Sequence, residues 1–157
     1  MRAVVQRVSH AAVAVDGEVC GEIGRGLCVL VGAGPGDHAE QARHLAGRVA
    51  TLRVFADAAG RMNLDLAQLD PPGSVLVLSQ FTLYADTSRG HRPSFIGAGR
   101  PEQAERLCAE FCDELRRLGL EVAEGRFAAH MQVSIDNDGP VTLVLTSGEP
   151  PWPADAG

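Results

Sequence analysis

The sequence predicts a single α/β domain, with a mixed and mostly antiparallel sheet and two main helices. Three observations lead to this fold class. The chain has 157 residues, 45% of them hydrophobic and 22% charged, which is the size and composition of one globular domain. Short apolar runs alternate with turn residues near both ends, which predicts hairpins. Two longer interior segments repeat apolar residues at helical spacing, which predicts βα units between the hairpins.

The first third of the chain predicts four strands. Residues 2–8 and 11–15 are expected to be two separate strands, and Asp16-Gly17 is typical of a tight turn into a third strand, residues 18–23. The all-apolar run 27–31 is typical of a central strand covered on both faces. The sheet is therefore expected to open with a hairpin and to continue into its buried centre.

The first helix follows a glycine-rich loop. Asp37 is the predicted N-cap, and Glu40 is its expected capping-box partner. The apolar face of this helix comprises Ala39, Ala42, Leu45, Ala46 and Val49. A short strand at 53–55 and a buried strand at 75–78 are expected next, separated by turn residues.

Pro101 occupies the position typical of a first helical residue, and Gly119 supplies a helix stop. The apolar face of this second helix comprises Ala104, Leu107, Cys108, Phe111, Leu115 and Leu118. A strand at 120–123 is expected to follow. The domain is predicted to span residues 1–145.

The last part of that domain predicts two strands, 131–135 and 141–145, which are joined by a turn at 136–140. Residues 146–157 contain three prolines and are expected to form a flexible tail.

Charge and composition exclude several classes of function. The formal net charge is −6, which argues against tight non-specific binding to nucleic acid, although a local basic patch remains compatible with it. All fourteen basic residues are Arg, so chemistry that needs a lysine Schiff base or a P-loop lysine is excluded. No apolar run approaches the length of a membrane span, and no signal-peptide pattern is present. A cytoplasmic protein with no membrane partner is expected.

No metal or cofactor motif is found. The four cysteines lack C-x-x-C spacing, the five histidines are scattered, and the Gly-x-Ser-x-Gly pattern of serine hydrolases is absent. Cys108 and Cys112 lie four residues apart on the predicted second helix and are expected to be buried apolar residues. We therefore expect neither a metal nor a cofactor.

Two segments are candidates for a functional site. Residues 79–86 change abruptly from apolar to polar at the end of a buried strand, where sites are often built, although a strand leaving the core explains the change equally well. Asn137-Asp138-Gly139-Pro140 is most simply interpreted as a hairpin turn. A cis Gly139-Pro140 bond would instead aim two carbonyl groups in a fixed direction, and sequence does not distinguish cis from trans.

Several motifs together resemble the D-aminoacyl-tRNA (D-tyrosyl-tRNA) deacylase family. They agree in order and spacing from Met1 to about Leu145. The matching pieces are Arg2 to Val8, Ser79-Gln80-Phe81-Thr82-Leu83, Arg92-Pro93-Ser94-Phe95, Gly125-Arg126-Phe127-Ala128-Ala129, Met131-Gln132-Val133 and Asn137-Asp138-Gly139-Pro140-Val141-Thr142.

The resemblance implies the fold of that family and a homodimer with a cross-subunit site. It implies an enzyme that hydrolyses the ester between a D-amino acid and the terminal adenosine of tRNA, and that also removes glycine mischarged on tRNA(Ala). It places the catalytic segment at Ser79, Gln80, Phe81 and Thr82, and it assigns substrate binding to Gly139 and Pro140 of the partner subunit and to Phe127, Met131 and, less directly, Arg7. Tyr84 departs from the small residue frequent in the family and is expected to narrow the approach to the pocket.

An aminoacyl ester is already activated, so backbone amides that stabilise the oxyanion and a positioned water are sufficient for its hydrolysis. We expect Thr82 to position groups rather than to act as a covalent nucleophile. A rigid Gly139-Pro140 surface is expected to exclude L-amino acids by steric clash. Arg2, Arg7, Arg89, Arg92 and Arg100 are expected to provide a small basic footprint for the acceptor end.

Two other functions fit the same motifs. A non-catalytic module that binds a tRNA end or a nucleotide would share the pocket without turnover. A generic Ser/Thr esterase would form an acyl-enzyme with simple esters. The preferred D-amino acid and tRNA, and the affinity of the dimer, are not determined by the sequence.

Overall fold

A computed structural model describes residues 1–148. The strands are β1 (Arg2–Val15), β2 (Glu18–Ile23), β3 (Gly26–Gly32), β4 (Phe55–Ala56), β5 (Met62–Leu64), β6 (Ser74–Ser79), β7 (Glu121–Glu124) and β8 (Gln132–Thr146). The helices are α1 (Ala39–Ala50) and α2 (Pro101–Arg117), with short 3₁₀ turns at Leu66–Gln68 and Phe81–Tyr84. The predicted α/β class with two main helices is confirmed.

The main sheet is mixed. Its order is β2-β1-β3-β6-β7, and β8 pairs with the other side of β1. The pairs that β1 makes with β2, β3 and β8 are antiparallel, whereas β3 with β6 and β6 with β7 are parallel. The carboxyl ends of β3 and β6 therefore meet at one edge of the sheet.

The prediction of two strands at 2–8 and 11–15 is wrong, because β1 is continuous over both. The alternation of buried and exposed residues is interrupted midway along the strand. Ala3 and Val5 are buried at alternate positions, whereas Val8 and Ala11 follow at intervals of three residues. Register shifts against β8 coincide with this change. The interruption that the sequence suggests is therefore a pair of irregularities inside one strand.

The prediction of two C-terminal strands joined by a turn is also wrong. β8 is one strand of 15 residues that runs beside β1. The step from Gln6 to Val8 corresponds to the step from Thr142 to Asn137, so two positions along β1 face five along β8. The intervening residues bulge outward from the ladder. Polar and turn-forming residues at 137–140 therefore mark a bulge and not a chain reversal.

The N-cap of the first helix lies one residue later than predicted. The N-cap is His38, whose backbone N–H donates to Oε1 of Gln41 at 2.9 Å, so Asp37 and Glu40 do not form the predicted capping box. Asp37 is instead buried and accepts a hydrogen bond from the backbone N–H of Gly34 at 2.6 Å. For the second helix, the predicted Pro101 start is confirmed.

The strand predicted at 53–55 is present only as Phe55–Ala56, which pairs with the unpredicted β5 to form a separate two-stranded sheet. Arg53 donates from Nε to the backbone carbonyl of Asn63 at 2.7 Å and joins the two ends of this hairpin. The strand predicted at 120–123 is β7, displaced by one residue.

Alternate residues of the central strands face two apolar clusters. Leu27, Val29 and Val77 belong to the cluster that includes both helices. Cys28 and Leu76 belong to the second cluster, on the opposite face, against β8. Both faces of the parallel strands are thus covered, as their apolar sequences predict.

The prediction that a flexible tail begins at residue 146 is wrong. Thr146 is the last residue of β8, and Ser147 is buried with its carbonyl accepting from the Met1 amino group at 2.6 Å. Residues 149–157, the rest of the predicted tail, lie outside the described residues. Within residues 1–148, neither α-helix has the length and hydropathy needed to cross a bilayer.

Candidate functional site

A cavity of about 630 Å³ opens where the carboxyl ends of β3 and β6 meet the start of α2. Its volume falls in the range of small-molecule sites. Its walls come from β3 and β6, from the loop before α2 and from residues 127–133, and they include Ser79, Gln80, Phe81, Phe95, Gly99, Phe127, His130 and Met131. The cavity lies outside the ends of parallel strands, where α/β folds commonly bind ligands.

The polar segment after β6 forms one wall of this cavity. The backbone N–H of Gln80 donates to Val31 at 2.8 Å and extends the pairing with β3 beyond Ser79. The chain then enters the 3₁₀ turn, whose first backbone hydrogen bond runs from Leu83 to Gln80. The backbone N–H groups of Phe81 and Thr82 precede that bond, so the turn itself supplies no acceptor for them.

Three of the four predicted catalytic residues, Ser79, Gln80 and Phe81, line the cavity. The side chain of Thr82 is exposed and is not part of the lining. Nε2 of Gln80 donates to Oγ1 of Thr82 at 2.6 Å, so the hydroxyl group is held by an amide and not by a base. This contact ties the Thr82 side chain to the cavity wall.

Phe127 and Met131 both line the cavity, on walls that continue into the core. Phe127 packs against the helix-side cluster, and Met131 packs against the cluster on the opposite face. A Cβ atom at Gly125 would lie 2.6 Å from Sδ of Met131 and 2.8 Å from Leu78. A glycine at this position therefore allows the methionine to reach the cavity wall.

Gly139 and Pro140 do not line the cavity of their own chain. They lie exposed on the β8 bulge, joined by a cis peptide bond. Gly139 has a φ of +134°, a conformation that residues with a side chain rarely adopt. A Cβ atom there would lie 2.9 Å from Val141 and 3.0 Å from the Arg7 guanidinium.

Arg7 contacts this bulge directly. Its Nε donates to the Asp138 carbonyl at 3.0 Å and lies 3.2 Å from the Asp138 carboxylate. Its Nη1 donates to the carbonyl of Val54, which fixes the guanidinium from the other side. Arg7 is not part of the cavity lining, so its contact with substrate stays a prediction.

Tyr84, which is expected to narrow the approach to the pocket, does not line the cavity itself. Its hydroxyl donates to Oδ2 of Asp37 at 3.1 Å, and burial beside this carboxylate raises the pKa of Tyr84 well above its usual value. Arg2 stacks 4.4 Å from the Tyr84 ring centroid and donates to the Leu83 carbonyl. These contacts anchor the 3₁₀ turn from behind.

The titratable lining residues are Cys108 and His130 among the residues described. Burial raises the pKa of the Cys108 thiol to about 11, which keeps it protonated and poorly nucleophilic at neutral pH. Within residues 1–148 no group of His, Cys, Asp and Glu side chains is arranged to hold a metal ion. The cavity walls are thus mainly apolar and include no pair of acidic and basic groups.

Sequence reasoning missed two residues that line the cavity and one residue that supports the 3₁₀ turn in its wall. His130 lacked any motif, Phe95 was noted only as part of a family motif, and Asp37 was interpreted as a helix cap. Only folding brings Asp37 and Tyr84 together across 47 positions, and no local pattern signals it.

A family model described as D-Tyr-tRNA(Tyr) deacylase matches residues 4–146, which is most of the chain. The chain belongs to this family. Two curated relatives named D-aminoacyl-tRNA deacylase are each 57% identical to it. The Roseiflexus castenholzii protein aligns over 147 residues, 94% of this chain and 92% of the relative. The Deinococcus radiodurans protein aligns over 145 residues, 92% of this chain and 99% of the relative.

Solved structures agree with the fold of this deacylase family. A structure titled c-Myc DNA Unwinding Element Binding Protein superposes with a TM-score of 0.87 at 40% identity, covering 95% of this chain and 100% of the other. A structure titled as a probable eukaryotic D-amino acid tRNA deacylase superposes with a TM-score of 0.80 at 16% identity, covering 92% and 97%. The second likeness concerns the fold alone.

Proposed function

We propose that the chain hydrolyses the ester bond of D-aminoacyl-tRNA, releasing tRNA and the free D-amino acid, and that it acts in the cytoplasm as a homodimer. Family membership supports the reaction. The structural observation that supports a site for this reaction is the cavity at the end of β6, whose walls include Ser79, Gln80 and Phe81. The acceptor end of aminoacyl-tRNA is the substrate, with no cofactor.

The chemistry rests on the backbone of the 3₁₀ turn. The N–H groups of Phe81 and Thr82 are the proposed donors to the oxyanion that develops when water attacks the ester carbonyl. The neighbouring ribose hydroxyl of the substrate orients that water or shares its proton. Such a reaction needs no acid–base pair in the protein, and the described lining residues include no carboxylate.

Thr82 acts in this proposal as a positioning residue. Its hydroxyl accepts a hydrogen bond from Gln80, and no described bond joins it to a histidine or a carboxylate that would activate it. A covalent nucleophile needs such a base. Replacing Thr82 with Ala is therefore expected to reduce the deacylation rate modestly, whereas a loss of several orders of magnitude would indicate a nucleophile.

Discrimination between mirror-image substrates is assigned to Gly139 and Pro140 of the partner subunit. These residues are exposed and lie outside their own cavity, while Arg7 fixes the adjacent Asp138. A rigid main-chain surface that enters the partner's cavity excludes an L side chain by clash and leaves a D side chain unhindered. Glycine has no side chain, so glycyl-tRNA(Ala) passes the same test.

The free edge of β8 supports the homodimer. β8 has 15 residues and pairs with β1 on one side, and no other strand among the described residues covers its opposite edge. Val144, on this strand, is an exposed apolar residue. A long uncovered edge strand favours association with another chain, and a two-fold axis would place each bulge near the other subunit.

The decisive experiment supplies D-Tyr-tRNA, L-Tyr-tRNA and Gly-tRNA(Ala) to catalytic amounts of the pure protein. Multiple turnovers with the D-aminoacyl and glycyl substrates are expected, with no hydrolysis of L-Tyr-tRNA. Binding without turnover would indicate the non-catalytic module. A covalent adduct detected by mass spectrometry after an activated ester would indicate the Ser/Thr esterase. A monomeric active form would contradict the cross-subunit site.

A further inference from the structure

We propose that an apolar surface beside the cavity stacks on the nucleobase that precedes the terminal adenosine of the acceptor end. We call this surface the aromatic rim and define it as Phe81, Phe95 and Ile96. The inference rests on the proposed function, because it concerns how the same RNA is held. It adds a binding subsite outside the reacting ester.

The aromatic rim is exposed to an unusual degree. Phe81 is 55% exposed, Phe95 is 37% exposed and Ile96 is 91% exposed. The two phenyl rings meet edge to face with centroids 5.1 Å apart at an interplanar angle of 74°. Scattered exposed apolar residues need no explanation, but a contiguous group at a cavity mouth indicates a binding surface.

Backbone hydrogen bonds within the chain hold the rim in place. Ser94, just before Phe95, exchanges two backbone hydrogen bonds of 2.8 Å with Asp86. The N–H of Gly99 donates to the Ala33 carbonyl at 2.8 Å, which ties the end of the loop to the residue after β3. The Phe95 carbonyl accepts from Ala98 at 3.0 Å. A preorganised surface loses little conformational entropy on binding.

The neighbouring charges favour single-stranded RNA as the occupant. Arg89, Arg92 and Arg100 are exposed on the same segment of a chain whose net charge is −6. No salt bridge described within residues 1–148 engages these three side chains. Aromatic platforms beside arginines are the usual means of holding unpaired nucleotides, with stacking on bases and cationic contacts to phosphates.

The position of the rim points to the second base rather than the last. Phe127 and Met131 form inner walls that pack on the core, so the terminal adenosine and its aminoacyl group are placed against them. Phe81 and Phe95 line the cavity but remain exposed, and Ile96 lies outside the lining. An RNA strand that leaves the cavity on this side passes over the rim next.

The test compares two probes that differ in the nucleotides before the terminal one: adenosine and the trinucleotide CCA. Calorimetry on the intact protein measures binding of each probe to wild type and to Phe95→Leu. Wild type is expected to bind CCA about tenfold more tightly than adenosine, because one base stacks on the rim. Phe95→Leu is expected to remove most of that difference, and Phe95→Tyr to retain it.

Met62→Leu is the matched control, because Met62 is an exposed apolar residue on the separate β4–β5 hairpin and is absent from the cavity lining. Equal binding of CCA and adenosine by wild type would overturn the proposal, as would an undiminished preference in Phe95→Leu. If light scattering finds a dimer for wild type and a monomer for Phe95→Leu, a second copy of the chain covers the rim, and the proposal is overturned. Failure of D-Tyr-tRNA hydrolysis would overturn the proposed function separately, since binding is measured without turnover.

Discussion

Replacing Arg7 with Lys tests whether the β8 bulge must be held rigidly for activity and for discrimination between mirror-image substrates. The Arg7 side chain is largely buried, and its guanidinium joins the Asp138 carbonyl, the Asp138 carboxylate and the Val54 carbonyl. A lysine retains the charge but not the planar arrangement of donors, so it can contact either Asp138 or the Val54 carbonyl but not both.

The size of the effect follows from the contacts that are lost. A hydrogen bond to a charged group contributes about 1.5–3 kcal/mol, so losing one such contact changes the equilibrium constant between the held and the released bulge by about 10- to 150-fold. We expect kcat/KM for D-Tyr-tRNA to fall by up to this factor. We also expect the ratio of D-Tyr-tRNA to L-Tyr-tRNA hydrolysis to fall, because a loosened Gly139-Pro140 corner no longer excludes the L side chain.

The assay measures deacylation of both substrates by wild type, Arg7→Lys and a matched control, Arg117→Lys. Arg117 also donates from Nε, to the Glu114 carboxylate at 2.7 Å, but on the exposed surface of α2. The control is expected to keep wild-type kinetics and selectivity. Arg7→Lys kinetics and selectivity indistinguishable from wild type would refute the reasoning, because the bulge would then be held by something other than this guanidinium.

Three further predictions concern stability and reactivity. Tyr84 is the only tyrosine in the chain and its pKa is raised by burial beside Asp37, so ultraviolet titration should find no phenolate in the folded protein at the usual pH near 10. The free energy of unfolding should decline above that pH, because the unfolded state loses this proton first. A normal tyrosine titration in the native state would contradict the burial of Tyr84. All four cysteines are free but Cys20 alone is exposed, so one thiol should react rapidly with a disulfide reagent and the others only after denaturation; several fast native thiols would disprove this packing. Phe111→Ala should lower the free energy of unfolding by about 3–5 kcal/mol in chemical denaturation, against a small change for the exposed Leu118→Ala, and similar losses in both variants would argue against the placement of α2.

The sequence was most informative where local patterns determine structure. Apolar runs identified β3 and β6, and Pro101 marked the start of α2 because the preference of proline for a first helical position is local. The abrupt polarity change after β6 also located one wall of the cavity, since the ends of parallel strands converge.

The failures involve long-range pairing. Nothing local distinguishes a hairpin turn at 136–140 from a bulge, because the same turn-forming residues serve both, and only pairing of β8 along the whole of β1 decides between them. Asp37 has the composition and position of a helix cap, yet the Tyr84 hydroxyl and the amino group of Met1 recruit it into a buried cluster. His38 and Gln41 then cap the helix in its place.

The bulge in β8 separates two tasks within one strand. Gln6 pairs with Thr142, and Val8 pairs with Asn137. The residues of β8 between these two pairs form an insertion that does not set the register of the flanking ladder. In the function proposed above, the residues that select the substrate are distinct from the residues that align the sheet.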